Sequence, residues 1–506
     1  MALFLRGLGW STEDVKSPEL LFEPDEAQHM LIAQRQIFRL DTDLYDPAEV
    51  PTGMFNVRGF GNWTGLVSWL GHLRQDGPPP PAEIVMAGRR LSTFFSLALI
   101  LVVFSLARRW WDDATALLAA ALLAINDLNI TYSHYAVPAV AYVCWLYLFV
   151  AVGWWHWRRD RWWSAAVLGW VVAAAFVFKL DFLPFFLGLG LLLWPRGAGR
   201  WPVRVAQLST YFLAAALGFV LTSLFNFSLD DLSYVWRELN RQNSNAIPVD
   251  QHWLENPLIY TLGAMAAVGL PVFILALRGG LQAWRDRQRL TNEQWAGALL
   301  LLVLLVLEIG VRWTIDTPFV RRLNFLMPTL ALAAAYALVR WWRRGRSGRV
   351  GVMAVMAYSL ALMFVSQSNH WWDVRYAARA ELAETIPDTA RVYFSRYAYL
   401  PGMPDATAAE PTDADWLIIH ETFYRRFGLS FTAPFGFPKC CNEVYHCWWG
   451  DDFCVFYQAL LRDTQSDFVR VRTFSTREAF PERLLYHWLF GHFETFRGDL
   501  LVYRRR

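Results

Sequence analysis

Between about residues 88 and 366 the chain is a succession of apolar runs, such as 97–106 and 299–307, separated by short clusters of arginine. A run of about 18 or more apolar residues can cross a bilayer. This region therefore reads as a membrane domain. The chain is 55% hydrophobic and 18% charged, whereas a soluble domain is about a quarter charged. The missing charge is missing from these runs. Spans are expected at roughly 88–107, 114–131, 137–156, 164–179, 181–195, 205–226, 256–277, 295–311, 322–342 and 349–366. Trp110, Trp111, Trp154, Trp155, Trp157, Trp162, Trp163, Trp341 and Trp342 flank them, at the level where indole rings favour headgroups.

Arginine placement orients the spans, because short cytoplasmic loops carry the excess of positive charge. The loops after the first, third, fifth, seventh and ninth spans hold seventeen Arg residues. The alternate loops hold six positive charges, Lys179, Arg237, Arg241, Arg312, Arg321 and Arg322. The first set is expected in the cytoplasm, which leaves residues 1–87 and 367–506 outside. Residues 1–10 are too short for a span or a full signal peptide, so a span upstream of this sequence is expected. The formal net charge of +3 singles out no partner, and no nucleic acid is expected.

Cys144 falls in a span, whereas Cys440, Cys441, Cys447 and Cys454 cluster in the tail. An external tail lies in an oxidising compartment that permits disulfides, and zinc is the competing use of four clustered cysteines. Cys440 and Cys441 lack the spacer usual in zinc sites, which favours disulfides. Being adjacent, each is expected to pair with Cys447 or Cys454.

Residues 1–87 form a first external loop, in which Glu26 starts one amphipathic helix and residues 61–73 form another. Such helices lie along a membrane interface. The run Gly77-Pro78-Pro79-Pro80-Pro81 ends this loop stiffly. Residues 367–506 alternate strand-like runs at 390–394, 416–420, 468–474 and 500–503 with helix-like ones at 376–384 and 452–461. That pattern reads as a small α/β domain. Three domains follow: 1–87, 88–366 and 367–506.

The sharpest local signal is Phe22-Glu23-Pro24-Asp25-Glu26-Ala27-Gln28-His29, an acidic pair opening a helix just before the membrane region. Proline and acids are also ordinary helix-start chemistry. Lys179 stands out for a different reason. It is one of three lysines, with Lys16 and Lys439, and a charge embedded in apolar sequence is costly. Its bland reading is snorkelling to the interface. Asp41-Thr42-Asp43 matches an Asp-x-Asp metal motif, but turn chemistry before Pro47 explains it. No metal is assigned. Glu308 is spaced to pair with Arg312 on one helix face.

In order, the acidic pair, Arg89-Arg90-Leu91-Ser92, Tyr132-Ser133-His134-Tyr135, Gly169 leading to Phe178-Lys179, and Arg321-Arg322-Leu323-Asn324-Phe325 with Pro328 resemble the GT-C class of polyprenyl-phosphate-sugar-dependent glycosyltransferases. Protein O-mannosyltransferases and lipid A aminoarabinose transferases belong to it. The resemblance runs over nearly the whole chain. It implies a polytopic α-helical membrane protein of about ten spans with a C-terminal extracytoplasmic α/β domain. Family members often carry an Asp after the Tyr-Ser-His-Tyr position, whereas residues 136–140 here hold no acid and the nearest is Asp127.

The implied activity is transfer of a sugar from a polyprenyl phosphate to a glycan, lipid or protein acceptor outside the cytoplasm, with inversion. An acceptor hydroxyl needs a base. Asp25 is expected to serve, with Glu26 positioning. Cations must meet the charge growing on the leaving phosphate; the candidates are Arg58, Arg89, Arg90, Lys179, Arg321 and Arg322. His252 is a further candidate substrate contact. The rival from another class is a lipid-linked-sugar transporter or flippase, for which internal repeats and broken helices would speak; the sequence shows neither. A relative that binds the lipid without catalysis is the third reading.

Overall fold

The computed structural model describes residues 24–38, 55–179, 183–193, 201–223, 255–313, 320–395, 398, 400, 408, 410–421, 451–465, 467–476 and 498–506. These divide into two compact units, Gln28–Leu360 and Ala361–Arg506, the second also taking in the start of the first helix.

The first unit is helical. Its elements are α1 (Pro24–Gln36), α2 (Phe55–His72), α3 (Pro81–Trp110), α4 (Asp113–Ala124), α5 (Asp127–His134), α6 (Ala139–Arg159), α7 (Trp162–Phe178), α8 (Leu183–Leu193), α9 (Trp201–Thr222), α10 (Glu255–Val268), α11 (Leu270–Arg285), α12 (Asn292–Trp313), a 3-10 helix (Val320–Leu326), α13 (Met327–Trp342) and α14 (Arg346–Trp371). The last of these runs on into the second unit. Among the described residues five helices are long and apolar enough to cross a membrane, and two bent pairs bring the number to seven. The remaining apolar helices, Trp162–Phe178, Leu183–Leu193 and Gln294–Gly310, are shorter. At 1.5 Å per residue, the 11 residues of α8 rise only about 17 Å. This shortfall separates seven segments from the ten that hydropathy suggests.

Large apolar side chains point outward along these helices, among them Leu101, Leu213, Leu281 and Val306. That distribution suits lipid rather than water. Arg109 and Arg158 both lie over the ring of Trp154, at 5.4 and 5.2 Å, and Arg349 lies over Trp342 at 5.8 Å. The arginine-rich loops are thus an aromatic and cationic rim. Small residues bring helices close: a Cβ on Gly169 would collide with the Tyr211 carbonyl on α9, and one on Gly279 with the Ala333 carbonyl on α13.

Two helices that the sequence reads as continuous are broken. α4 and α5 bend by 53°, and the segments around Gly269 bend by 111°. Asn126 causes the first break, its side chain accepting the Asn129 N–H at 2.9 Å to cap α5. Gly269, at φ 80, permits the second. The two breaks are tied together, because Asn126 Nδ2 donates to the Ala267 carbonyl at 3.0 Å. This satisfies a carbonyl near the end of α10.

The second unit contains α15 (Val374–Thr385), β1 (Val392–Phe394), β2 (Trp416–His420), α16 (Asp451–Leu461), β3 (Phe468–Phe474) and β4 (Leu500–Arg505). The sheet order is β1-β2-β4-β3, with β1 parallel to β2 and the other pairs antiparallel. Alternation in β2 and β4 separates two cores. Trp416, Ile418, Leu500 and Val502 pack with Ala378 and Leu382 of α15. Leu417, Ile419, Leu501 and Tyr503 pack with Tyr457 and Leu460 of α16.

At the end of β2, His420 is fully buried. Burial and then the Arg375 charge push it down from 6.5 to about 3, against the opposing pull of Asp373 and Glu421. The folded unit therefore holds His420 neutral, while the unfolded chain takes up a proton below about pH 6.5. Stability from this group is complete above that pH. It is expected to fall by up to about 1.4 kcal/mol per unit as the pH drops from 6.5 towards 3. Pulse proteolysis of the full chain in detergent across that range checks it, with His420→Gln expected to flatten the acid slope. Equal slopes in the two proteins would count against it.

Candidate functional site

At one end of the first unit α2 packs against the ends of α7 and α9, with α1 against α2. Gly61 and Gly65 of α2 let Ile32 and Ile37 approach closely. Asn62 Nδ2 donates to the Ser223 carbonyl at 3.0 Å and Trp63 Nε1 to the Thr222 carbonyl at 2.9 Å. Both bonds satisfy carbonyls that the end of α9 leaves open. Gly59 sits against the backbone of Val177 near the end of α7.

Beneath α2 a line of rings leads inward. His29 meets Phe60 at 5.0 Å, Phe60 meets Phe178 at 6.3 Å, and Phe178 meets Phe95 at 5.2 Å and Trp145 at 6.2 Å. Lys179 follows Phe178. Its backbone N–H donates to the Ala175 carbonyl at 3.0 Å, and its Nζ lies 4.5 Å from the centroid of the Tyr142 ring. The Tyr142 hydroxyl donates to Glu308 Oε1 at 2.9 Å. Tyr142 and Glu308 are both buried.

A second polar seam runs along α3. Arg89, Ser92, Thr93 and Ser96 share one face by helical spacing, and all four are buried. Ser92 donates to the Val137 carbonyl and Thr93 to the Ser133 carbonyl, each at 3.2 Å, and Ser96 donates to Asn129 Oδ1 at 2.5 Å. The seam fastens the Tyr132-Ser133-His134-Tyr135 stretch, also buried, to α3.

The residues singled out in the sequence fall unevenly. Asp25 is in the first turn of α1, with its side chain outside the described set, and Glu26 is buried. Arg89 is buried and Arg90 exposed. Arg58 lies on α2 and Arg321 and Arg322 on the 3-10 helix, but their side chains are outside the described residues. His252, Asp41 and Asp43, and Cys440, Cys441 and Cys447 lie outside them entirely. Cys454 is in α16 with its side chain outside. Among the described residues no disulfide occurs, Cys144 being a buried free thiol. Nor does any group of three or more His, Cys, Asp or Glu stand ready for a metal.

Tyr142 and Asn324 were not singled out by sequence. Glu308 was, as a partner for Arg312, whose side chain lies outside the described residues; its Oε1 accepts from the Tyr142 hydroxyl. Asn324, close in sequence to the Arg321-Arg322 pair, is fully buried, and neither side-chain atom has a hydrogen-bond partner among the described residues.

No family model matches the chain, and no curated protein does. Solved structures do. ArnT from Cupriavidus metallidurans, bound to undecaprenyl phosphate, aligns with a TM-score of 0.51 at 12% identity, covering 99% of this chain and 96% of that one. The oligosaccharyltransferase AglB from Archaeoglobus fulgidus, in complex with an inhibitory peptide and a dolichol-phosphate, gives 0.48 at 10% identity over 100% and 87%. An apo form of the Archaeoglobus fulgidus oligosaccharyltransferase gives 0.42 at 12% over 93% and 68%. With the ArnT likeness running end to end, the fold of this chain is that of the GT-C membrane glycosyltransferases.

Proposed function

We propose that the chain is an integral membrane glycosyltransferase that takes a sugar from a polyprenyl-phosphate donor and passes it to an acceptor on the extracytoplasmic face. The observation that carries this reading is the end-to-end likeness to ArnT, whose structure holds undecaprenyl phosphate. Supporting it, Lys179 and buried Arg89 place cations at the end of an apolar bundle, where a lipid-borne phosphate needs them. In this reading Asp25 is the base, Glu26 positions it or the acceptor, Arg58, Arg89, Arg90, Lys179, Arg321 and Arg322 serve the donor phosphate, and His252 contacts substrate. Transfer is inverting, of a hexosyl or pentosyl group. The membrane domain crosses about ten times, with α7, α8 and α12 counted as spans, and residues 1–87 and 367–506 lie outside.

The two joined helix breaks favour one other reading, a carrier of lipid-linked sugars, since broken helices often build transport sites. Purified protein in liposomes separates the two. A transferase moves labelled sugar from polyprenyl phosphate to an acceptor, and a carrier moves the intact lipid between leaflets without breaking the glycosidic bond. Orientation has its own test. A periplasm-active reporter fused after Arg506 is expected to be active, and activity only from a cytoplasmic reporter would put Asp25 on the wrong side.

A further inference from the structure

Resting on the glycosyltransferase reading, we infer that Tyr142, anchored by Glu308, is a positioning residue that holds the Lys179 ammonium in place for the phosphate of a polyprenyl-phosphate lipid. Lys179 ends a 17-residue apolar helix. A lysine there has a long, flexible stem and would ordinarily extend towards water. Here the Nζ stays over the Tyr142 ring at 4.5 Å. A cation on a ring face is held by the quadrupole, so the contact fixes the charge without using an N–H donor.

Glu308 gives the ring its own fixed position. The Tyr142 hydroxyl donates to its Oε1 at 2.9 Å, joining α6 to α12. Rotation of the ring would cost a buried carboxylate this hydrogen bond, an unfavourable change in a low-dielectric interior. Donation to a carboxylate also pushes electron density into the phenol ring, which strengthens its hold on the ammonium. Tyr142 thus ties the Lys179 end of α7 to α6 and α12.

A double-mutant cycle on the full chain in detergent tests this, with undecaprenyl phosphate, neutral undecaprenol and inorganic phosphate as probes. Lys179→Ala and Tyr142→Leu are each expected to weaken undecaprenyl phosphate binding about tenfold. Their combination is expected to cost no more than Lys179→Ala alone, because Tyr142 acts through Lys179. Tyr142→Phe keeps the ring but loses the Glu308 anchor, and is expected to weaken binding by about threefold, between wild type and Tyr142→Leu. Undecaprenol binding is expected to stay unchanged throughout, and inorganic phosphate to compete poorly. Additive losses, an unaffected Tyr142→Leu protein, or equal losses for undecaprenol would overturn the positioning role while leaving the transferase reading standing. Competition by inorganic phosphate as strong as by the lipid would overturn the lipid assignment. A wild-type chain that binds no polyprenyl phosphate would remove the transferase reading and this inference together.

Discussion

Asp25→Asn is expected to lower sugar transfer from a polyprenyl-phosphate donor about 10²- to 10⁴-fold while leaving donor affinity and folding intact. Displacement at the anomeric carbon needs the acceptor hydroxyl to lose its proton as the phosphate leaves. A carboxylate can take that proton and an amide cannot. Asp25 stands in the first turn of Pro24–Gln36, behind Pro24, where the helix start favours negative charge. Asparagine keeps the size and the capacity to accept a hydrogen bond, so loss of rate without loss of binding isolates the proton transfer. Glu26→Gln is expected to cost less if Glu26 only positions. The measurement is release of labelled sugar to acceptor, with undecaprenyl phosphate binding followed in parallel. Wild-type turnover by Asp25→Asn would move the base elsewhere, with Asp127 or an acid of the 227–256 segment next in line.

What the sequence made legible, and what it hid, follows from the range of the interactions involved. Apolar runs locate the helices of the first unit, because lipid exposure writes itself into every residue of a span. The break at Asn126 was hidden, since one asparagine between two apolar stretches looks like tolerated polarity until its side chain is seen capping the next helix. In the second unit, alternation over 416–420 and 500–503 marks the strands, but nothing local shows that β2 lies between β1 and β4. Lys179 was visible as an isolated charge. Its partners were not, because Tyr142 and Glu308 lie 166 residues apart and a tyrosine near a span end is ordinarily an interfacial aromatic. Arg89 was legible only through a resemblance, since nothing local shows that it is buried.

Asp373→Ala is expected to destabilise the second unit by about 3–5 kcal/mol. Arg375 is fully buried, and its guanidinium meets Asp373 through two parallel bonds, Nε to Oδ1 at 2.8 Å and Nη2 to Oδ2 at 2.6 Å. Asp373 also caps α15 by accepting the Arg375 N–H at 2.9 Å. Burial raises the Asp373 carboxyl, but the Arg375 charge and hydrogen bonds outweigh it and hold the group below its usual value. Alanine therefore removes a helix cap and leaves a guanidinium in the interior without its bidentate partner. Asp373→Asn keeps the cap and the shape while losing the charge, and is expected to fall between wild type and alanine. Replacing both members, Asp373→Ala with Arg375→Met, is expected to recover much of the loss, since a well-packed apolar pair often matches a buried ion pair. The double variant decides the cause: if it is as unstable as Asp373→Ala alone by pulse proteolysis, stranded charge is not what destabilises the unit.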